Sequence, residues 1–386
     1  MQHPRIMINS NSTYSTSTHN DISKFIYSIS YKYDVLNRVT NEEIHTSNIL
    51  GNDTEFIEHE YTYLFQGENT VDLITKDEFL LKNKTKSITS YDYDLMGRII
   101  KEYNDDYETS YQYDAIGRLI RENNSRLNKT YSIRYDNAGN ILCKKTFGYT
   151  LDECLTNKKV IDKQTYIYRQ HGWKDQLIGI TDINDKRLNI EYNDKHNMGR
   201  PSIYKGINLT WYKNGSLHKY GDIKYSYDNN GIRHKKEYKN KDGKLVTELY
   251  ILDGTKILQR IIRIDGNEDI IYRYMYAGNK VIGFTKAYNY NNSIKTDKYY
   301  FVRNIQGDII EIYQDIVGSN PIKCCHYLYD AYGNHTIIED ATLNIGKENP
   351  FRYRGYYYDD ETGLYYCNAR YYDPNVGRWI SSDDIN

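Results

Sequence analysis

Aspartates recur at regular positions along this chain, and carboxyl groups in a fixed pattern suggest two kinds of chemistry. They could act as general acids, or they could bind calcium, which needs several oxygen ligands converging on one point. Each of these aspartates, however, is followed by two variable residues and then Gly or Asn in most copies, which are residue types of a tight turn. The spacing therefore favours a structural role in turns. The residues concerned are Asp34, Asp94, Asp114, Asp136, Asp228 and Asp330.

Two other clusters carry side chains that bind metals in many proteins. The acidic pair Asp359–Asp360 precedes Glu-Thr-Gly, and this order is more typical of a hairpin turn with Gly363 as its glycine. The run Cys324–His326 lacks a second pair of ligands at zinc spacing. We interpret the five cysteines as small buried side chains, because their number and placement do not suit a disulfide framework. The sequence predicts no metal and no cofactor.

The aspartates belong to a repeated unit. Residues 91–99 read Tyr-Asp-Tyr-Asp-Leu-Met-Gly-Arg-Ile, and twenty positions later residues 111–119 read Tyr-Gln-Tyr-Asp-Ala-Ile-Gly-Arg-Leu. Further copies lie at 31–39 and 133–141, and weaker ones at 225–233 and 327–334. Tyrosines two residues apart on a strand point to the same face, and Asp-x-x-Gly closes a turn with the Gly left-handed. Each copy therefore predicts a β-hairpin, and successive hairpins predict one antiparallel ribbon.

Each part of the repeat has a predicted role. We assign the turns to the pairs Asp94 and Gly97, Asp114 and Gly117, and Asp136 and Gly139. The Arg that follows Gly, at positions 38, 98 and 118, is expected to pair with a carboxylate of a neighbouring repeat. The tyrosines are expected to pack within the wall of strands, with stacking against sugars or nucleobases as the alternative.

The composition narrows the class of protein. Of 386 residues, 44 are Tyr and only 8 are Phe, and this density of aromatic side chains argues against disorder. Mean hydropathy is nevertheless low, so the fold is expected to contain little dry core. The 51 basic and 52 acidic residues nearly cancel, which disfavours non-specific binding of nucleic acid. We find no apolar run long enough for a membrane span and no signal peptide, and we expect residues 1–24 to form a polar, flexible segment.

The repeat resembles the YD repeat of bacterial Rhs and wall-associated polymorphic toxins, of the C component of insecticidal toxin complexes, and of teneurins. The tail strengthens the resemblance: residues 350–366, 368–374 and 377–383 are similar, nearly position by position, to the Rhs repeat-associated core. The resemblance implies an all-β fold in which hairpins form a spiralling, hollow β-shell around a C-terminal toxin, incomplete in this chain. It further implies a division into a shell region at 25–299 and a core at 300–386.

In several members of this family the core is an aspartyl protease that cuts its own chain. By resemblance, Asp383 would be the catalytic aspartate and Arg370 a basic residue that supports the site. The partner acid is less clear, because Tyr371 stands where toxin-complex members have it, and Asp373 is the candidate substitute. Asp384 replaces the usual Pro, and no cleavable segment follows. We therefore expect a structural role rather than an enzyme.

Three functions are consistent with the sequence. The first is a shell fragment that encapsulates and delivers a toxin, with cargo or further shell segments as partners. The second is a cell-surface module that binds carbohydrate through its tyrosines. The third is the autoprotease. The resemblance implies a secreted or surface-associated protein, whereas the sequence itself leaves the location open and gives no indication of a nucleic-acid partner or a membrane span.

Overall fold

The structure, a computed structural model, describes residues 10–15, 26–47, 53–66, 69–82, 84–193, 199–265, 267, 269–316, 319–339 and 344–382. The chain divides into two compact units. Unit 1 comprises Met1–Asp114 and Asn123–Arg126, and unit 2 comprises Ala115–Glu122 and Leu127–Asn386. Of the segment 1–24, predicted to be flexible, the structure describes only Ser10–Ser15, as a strand.

Unit 1 consists of hairpins whose strands follow one another in sequence order. Each strand from β1 to β7 pairs antiparallel with the next one. The strands are β1 (Ser10–Ser15), β2 (Ile26–Tyr33), β3 (Val39–Ser47), β4 (Asp53–Gln66), β5 (Asn69–Leu81), β6 (Lys84–Tyr93), β7 (Ile99–Tyr103) and β8 (Glu108–Tyr113). Strand β9 (Leu119–Asn124) contributes residues to both units.

Unit 2 continues the same pattern through eighteen strands, β10 to β27, each antiparallel to the next. The strands are β10 (Lys129–Tyr135), β11 (Ile141–Gly148), β12 (Val160–Tyr168), β13 (Leu177–Thr181), β14 (Arg187–Tyr192), β15 (Pro201–Tyr204), β16 (Ile207–Trp211), β17 (Leu217–Tyr220), β18 (Ile223–Tyr227), β19 (Arg233–Lys239), β20 (Leu245–Asp253), β21 (Lys256–Ile264), β22 (Ile270–Ala277), β23 (Lys280–Tyr290), β24 (Ser293–Arg303), β25 (Ile309–Asp315), β26 (Ile322–Tyr329) and β27 (His335–Glu339). We call these strands the wall. The predicted all-β fold of antiparallel hairpins is confirmed.

A different arrangement ends the described chain. Helix α1 (Ile345–Glu348) and a 3₁₀ turn (Tyr353–Gly355) precede a separate four-stranded antiparallel sheet. Its strands are β28 (Tyr357–Asp359), β29 (Leu364–Cys367), β30 (Arg370–Asp373) and β31 (Arg378–Trp379). We call residues 344–382 the C-terminal segment.

The turn of each repeat has a common hydrogen-bond pattern. At the β6–β7 turn, Asp94 Oδ1 accepts the backbone N–H groups of Met96 and Arg98 at 2.9 and 3.0 Å. The N–H of Gly97 donates to the Asp94 carbonyl, and Gly97 is left-handed with φ of 76°. The pairing register shifts by one residue at Tyr93, which is the bulge that accompanies such a turn. The first repeat has the same pattern with Asn37 in the glycine position.

The arginine after the turn has a partner other than the one the sequence suggests. Arg98 pairs with Asp94 of its own turn, with Nη2 2.6 Å from Oδ2, and its guanidinium lies 4.6 Å from the ring centre of Tyr113. Arg38 pairs in the same way with Asp34, and a second carboxylate, Asp72, lies 3.9 Å away. The prediction of a carboxylate from a neighbouring repeat is therefore wrong for Arg98, because the four-residue spacing brings its own aspartate closer. The neighbouring hairpin supplies an aromatic ring instead.

The core of unit 2 is built largely from tyrosine. Rings on successive wall strands pack against each other and against the C-terminal segment, and among the largest fully buried side chains are Tyr225, Tyr272, Tyr299, Tyr300, Tyr327 and Tyr365. Three of the five cysteines are buried as expected, and Cys367 is half-buried. Cys154 is exposed, so the prediction of burial is wrong there, because Cys154 lies in the connection between β11 and β12.

Candidate functional site

The C-terminal segment packs against the wall of unit 2 mainly through aromatic side chains. Phe351 makes an edge-to-face contact with Tyr274, with ring centres 4.8 Å apart. Tyr371 lies 5.4 Å from Tyr225, ring centre to ring centre. Because side chains alternate along a strand, these contacts define one face of the wall, which we call the segment-facing side.

A buried ion pair lies within this contact. Arg233 of β19 and Asp359 of β28 both have fully buried side chains, and they form two hydrogen bonds: Nη1 to Oδ2 at 2.5 Å and Nη2 to Oδ1 at 3.1 Å. The Arg233 guanidinium also lies 4.3 to 5.9 Å from the ring centres of Tyr225, Tyr250, Tyr357, Tyr366 and Tyr371. This two-pronged geometry joins the wall to the C-terminal segment.

Further charges extend the pair into a network. Lys236 Nζ lies 3.1 Å from Asp359, 3.2 Å from Glu248 and 2.9 Å from Glu361. Arg260 donates from Nε and Nη2 to the two oxygens of Glu248, at 2.7 and 2.9 Å. Three cations thus face three carboxylates, which we call the charge network.

The ionisation states in this network follow from the pairing. Burial alone would raise the pKa of Glu248, but Arg260 and Lys236 hold it well below its ordinary value. Burial alone would lower the pKa of Arg233, and Asp359 raises it instead. Glu248 and Arg233 are therefore both charged, and losing a partner of either would leave a buried charge without compensation.

A second buried cluster surrounds His335 at the start of β27. Arg352 Nη1 lies 2.7 Å from His335 Nε2, so the imidazole accepts this hydrogen bond and is neutral. Burial, and then the positive charge of Arg352, lower the pKa of His335 to about 3. Arg352 also makes two hydrogen bonds to Asp360, at 2.9 and 3.1 Å.

The repeat turns beside the C-terminal segment differ by one residue from those of unit 1. Asn334 stands where Arg follows Gly in the regular repeats, and its Nδ2 donates at 2.8 Å both to Asp330 and to the Pro374 carbonyl. Asn140 likewise bonds Asp136 at 2.9 Å, and its Oδ1 lies 3.3 Å from Arg378 Nη1. Sequence reasoning missed both asparagines as contact residues, although the change from Arg to Asn within the repeat was a visible signal.

The candidate catalytic residues lie in different surroundings. Asp373 is buried: its Oδ1 accepts the N–H groups of Asn375 and Val376, and its Oδ2 accepts Tyr204 Oη and Lys205 Nζ, both at 2.9 Å. These four donors occupy both oxygens of the carboxylate and hold the side chain in place.

Arg370 lies elsewhere on the segment, with its guanidinium 4.3 Å from the centre of the Trp379 ring. It lines a cleft of about 310 Å³ that also contains Asp175, Ser381 and Ser382. The third candidate, Asp383, lies outside the described residues.

The predicted turn residues occupy the ends of hairpins. Gly117, Gly139 and Gly363 have φ values of 89°, 93° and 73°, which favour glycine. Asp114 follows β8 directly, and Asp136 Oδ1 accepts two backbone N–H groups of its turn. At Asp359 the backbone carbonyl closes the turn to Gly363, while the side chain enters the charge network, a role that the sequence did not indicate.

No group of three or more His, Cys, Asp or Glu side chains in the described ranges could hold a metal ion. No helix among the residues that the structure describes has the length and apolar character to cross a bilayer.

No family model matches this sequence, but several proteins are similar to parts of it. The chain is 32% identical over 231 residues to the tRNA nuclease WapA of Bacillus subtilis (strain 168), which covers 56% of this chain and 9% of that protein. It is 40% identical over 57 residues to double-stranded DNA deaminase toxin A of Burkholderia cenocepacia, covering 15% of this chain and 4% of the toxin. The chain therefore spans less than a tenth of either relative.

A solved structure shares the fold. The TcdB2-TccC3 structure superimposes with a TM-score of 0.58 at 18% identity, covering 96% of this chain and 20% of that chain. Consecutive tyrosine-rich hairpins with Asp-x-x-Gly turns, carrying a separate C-terminal sheet, define a segment of a YD-repeat shell. The sequence matches and this shared fold support the resemblance to the Rhs/YD-repeat family.

Proposed function

We propose that this chain is part of a shell that encloses a C-terminal toxin and delivers it. The observation that carries the proposal is the docking of the C-terminal segment on the wall through buried aromatic rings and the charge network. Such a contact fixes where the chain leaves the wall, and hence where a following polypeptide would begin. The relatives named as a nuclease and a deaminase toxin support the same class of function.

A crosslinking experiment tests whether a following polypeptide lies against the wall. An unstructured reporter carrying a photo-reactive residue would be fused after Asn386, and the same reporter before Met1 would serve as the control. We expect the C-terminal reporter to crosslink to exposed positions beside the end of the described chain, such as Trp173 and Asp175, and the N-terminal reporter not to do so. Crosslinks spread equally over both faces of the wall would contradict the proposal.

Self-cleavage is a second proposal, supported by one observation. Arg370, Asp175, Ser381 and Ser382 line the same cleft, so a basic side chain and a carboxyl group lie beside the end of the described chain. Appending a family-like cleavage segment after Asn386, and comparing the parent with Asp383→Asn, tests it by mass spectrometry. An uncut parent would overturn this proposal and leave the shell proposal intact.

Carbohydrate binding and the absence of a nucleic-acid partner stay predictions. Many of the large tyrosines are buried in the wall, so their ring faces are not presented to a sugar. The division into a shell region at 25–299 and a core at 300–386 also stays a prediction.

A further inference from the structure

A second cleft lies where three hairpin turns of the wall meet the C-terminal segment. The turns join β20 to β21, β22 to β23 and β24 to β25. Because consecutive strands are antiparallel, all three turns lie at the same end of the wall strands. The cleft has a volume of about 310 Å³, at the lower end of the range of small-molecule sites. On the other side it is lined by residues of the C-terminal segment between Arg354 and Asn368.

The charged side chains that line the cleft are all positive. Each of the three turns contributes one cation, namely Lys256, Lys280 and Arg303, and the C-terminal segment contributes Arg354. Arg233 also reaches the cleft, but Asp359 already balances it. No carboxylate is among the described residues that line the cleft, whereas the whole chain has a net charge of only −1.

Two carboxylates lie near these cations but do not line the cleft. Asp308 lies 3.6 Å from Arg354 Nε and is buried behind it. Asp253 is the strand partner of Lys256 but does not line the cleft. A cleft walled by protein and lined by one sign of charge concentrates the potential, so it attracts a compact ion of the opposite sign.

We propose that this cleft binds a small polyphosphate anion, which bridges the wall and the C-terminal segment. Lysine and arginine side chains supply several N–H donors, which suits the many acceptor oxygens of a phosphate chain. The rings of Tyr276 and Tyr356 line the same space and provide a surface beside the anion. A ligand that touches both parts stabilises the docked state, because it binds only when the two are together.

Calorimetry with sodium pyrophosphate in 0.15 M NaCl tests the proposal on the whole chain. We expect saturable binding of one pyrophosphate per chain, weakened about tenfold or more by Lys256→Gln with Lys280→Gln. The control is Lys213→Gln with Lys241→Gln, which removes the same charge from exposed positions in two other turns and should leave the affinity unchanged. ADP distinguishes a nucleotide from a free polyanion, since tighter binding of ADP would assign the site to nucleotides.

Three results would overturn the proposal. The first is no saturable binding of pyrophosphate, and the second is an equal loss of affinity in the control variant. The third is tighter binding of a ten-residue polyglutamate peptide than of pyrophosphate, which would assign the cleft to an acidic polypeptide. As a second readout, pyrophosphate should raise the thermal unfolding midpoint of the parent and not of the Lys256/Lys280 variant. None of these results bears on whether a toxin follows the chain.

Discussion

The repeat turns of unit 1 and the turns beside the C-terminal segment share one frame but differ in a single residue. In both, an aspartate accepts two backbone N–H groups and closes the turn. In unit 1, Arg98 then bonds this aspartate and covers the tyrosine of the next hairpin. At Asp330 the shorter Asn334 keeps the bond to the aspartate and gives its second N–H to Pro374.

The difference shows how one repeat serves two purposes. A long cationic side chain that lies on the tyrosine ring of the next hairpin links one hairpin to the next, so the hairpin can be repeated. A short amide keeps the turn intact but leaves room for a different chain segment and offers it a donor. The buried charge network then adds what the regular turns lack, namely buried ion pairs shared between wall and segment.

The largest expected effect comes from breaking the charge network. Arg233→Met should lower the free energy of unfolding of unit 2 by about 3–5 kcal/mol, because Asp359 stays buried after losing its two-pronged partner. Urea unfolding followed by near-ultraviolet circular dichroism would measure the change. A loss below about 1 kcal/mol would mean that Lys236 alone compensates Asp359, and the network would not hold the segment.

Acid should weaken the contact between the wall and the C-terminal segment, because His335 must stay neutral to accept the hydrogen bond from Arg352. The unfolded state binds a proton near pH 6.5 and the folded state only near pH 3, so stability is complete above pH 6.5 and is lost as the pH falls from 6.5 towards 3. The slope should approach about 1.4 kcal/mol per pH unit. Urea midpoints at several pH values measure it.

A matched pair of variants identifies the group responsible. His335→Gln keeps an acceptor for Arg352 but cannot take up a proton, so the slope should flatten. His171→Gln, at an exposed position, should leave the slope unchanged. Equal slopes in the parent and in His335→Gln would show that groups other than His335 determine the response to acid.

Removing the side-chain amide of Asn334, which bonds both Asp330 and Pro374, should lower the stability less than breaking the charge network does. Asn334→Ala leaves the Pro374 carbonyl and one oxygen of Asp330 without this donor, and should cost about 1–3 kcal/mol. Hydrogen exchange of the amides of Asn375, Val376 and Gly377 would report it, since these should exchange faster while those of unit 1 do not change. Uniformly faster exchange in both units would contradict a local role.

The smallest effect is expected in unit 1. Arg98→Met removes a half-exposed ion pair and one contact with Tyr113, and should cost about 1 kcal/mol. It uses the same substitution as Arg233→Met, so the two unfolding measurements compare directly. Equal costs at Arg98 and Arg233 would remove the distinction between the two kinds of turn.

The sequence predicted the hairpin wall because its information is local. Tyr-x-Tyr-Asp-x-x-Gly specifies a strand face and a turn within seven residues, and the structure has them in that order. The predicted partner of Arg98 was wrong because the sequence allows an ion pair with its own aspartate as well as with one from a neighbouring repeat. The exposed position of Cys154 was mistaken because residue type says little about a single site in a connection.

The contact between wall and segment could not be predicted in the same way. Arg233 and Asp359 are separated by more than a hundred residues. Arg233 stands where the regular repeats have an aliphatic residue, but nothing in the sequence pairs it with Asp359. Only folding brings them together, and burial then makes each depend on the other. Asn140 and Asn334 also leave a signal in the sequence, because replacement of the repeat arginine is visible once the turn geometry is known.

Hydrogen exchange of the C-terminal sheet is the most direct test of the central claim that the wall holds this segment. Amides of β29 and β30 should be protected as strongly as those of β22 and β23 in the parent, and should lose this protection in Arg233→Met while β6 and β7 keep theirs. Rapid exchange of β29 and β30 in the parent protein, at the rate of an unfolded peptide, would contradict the account.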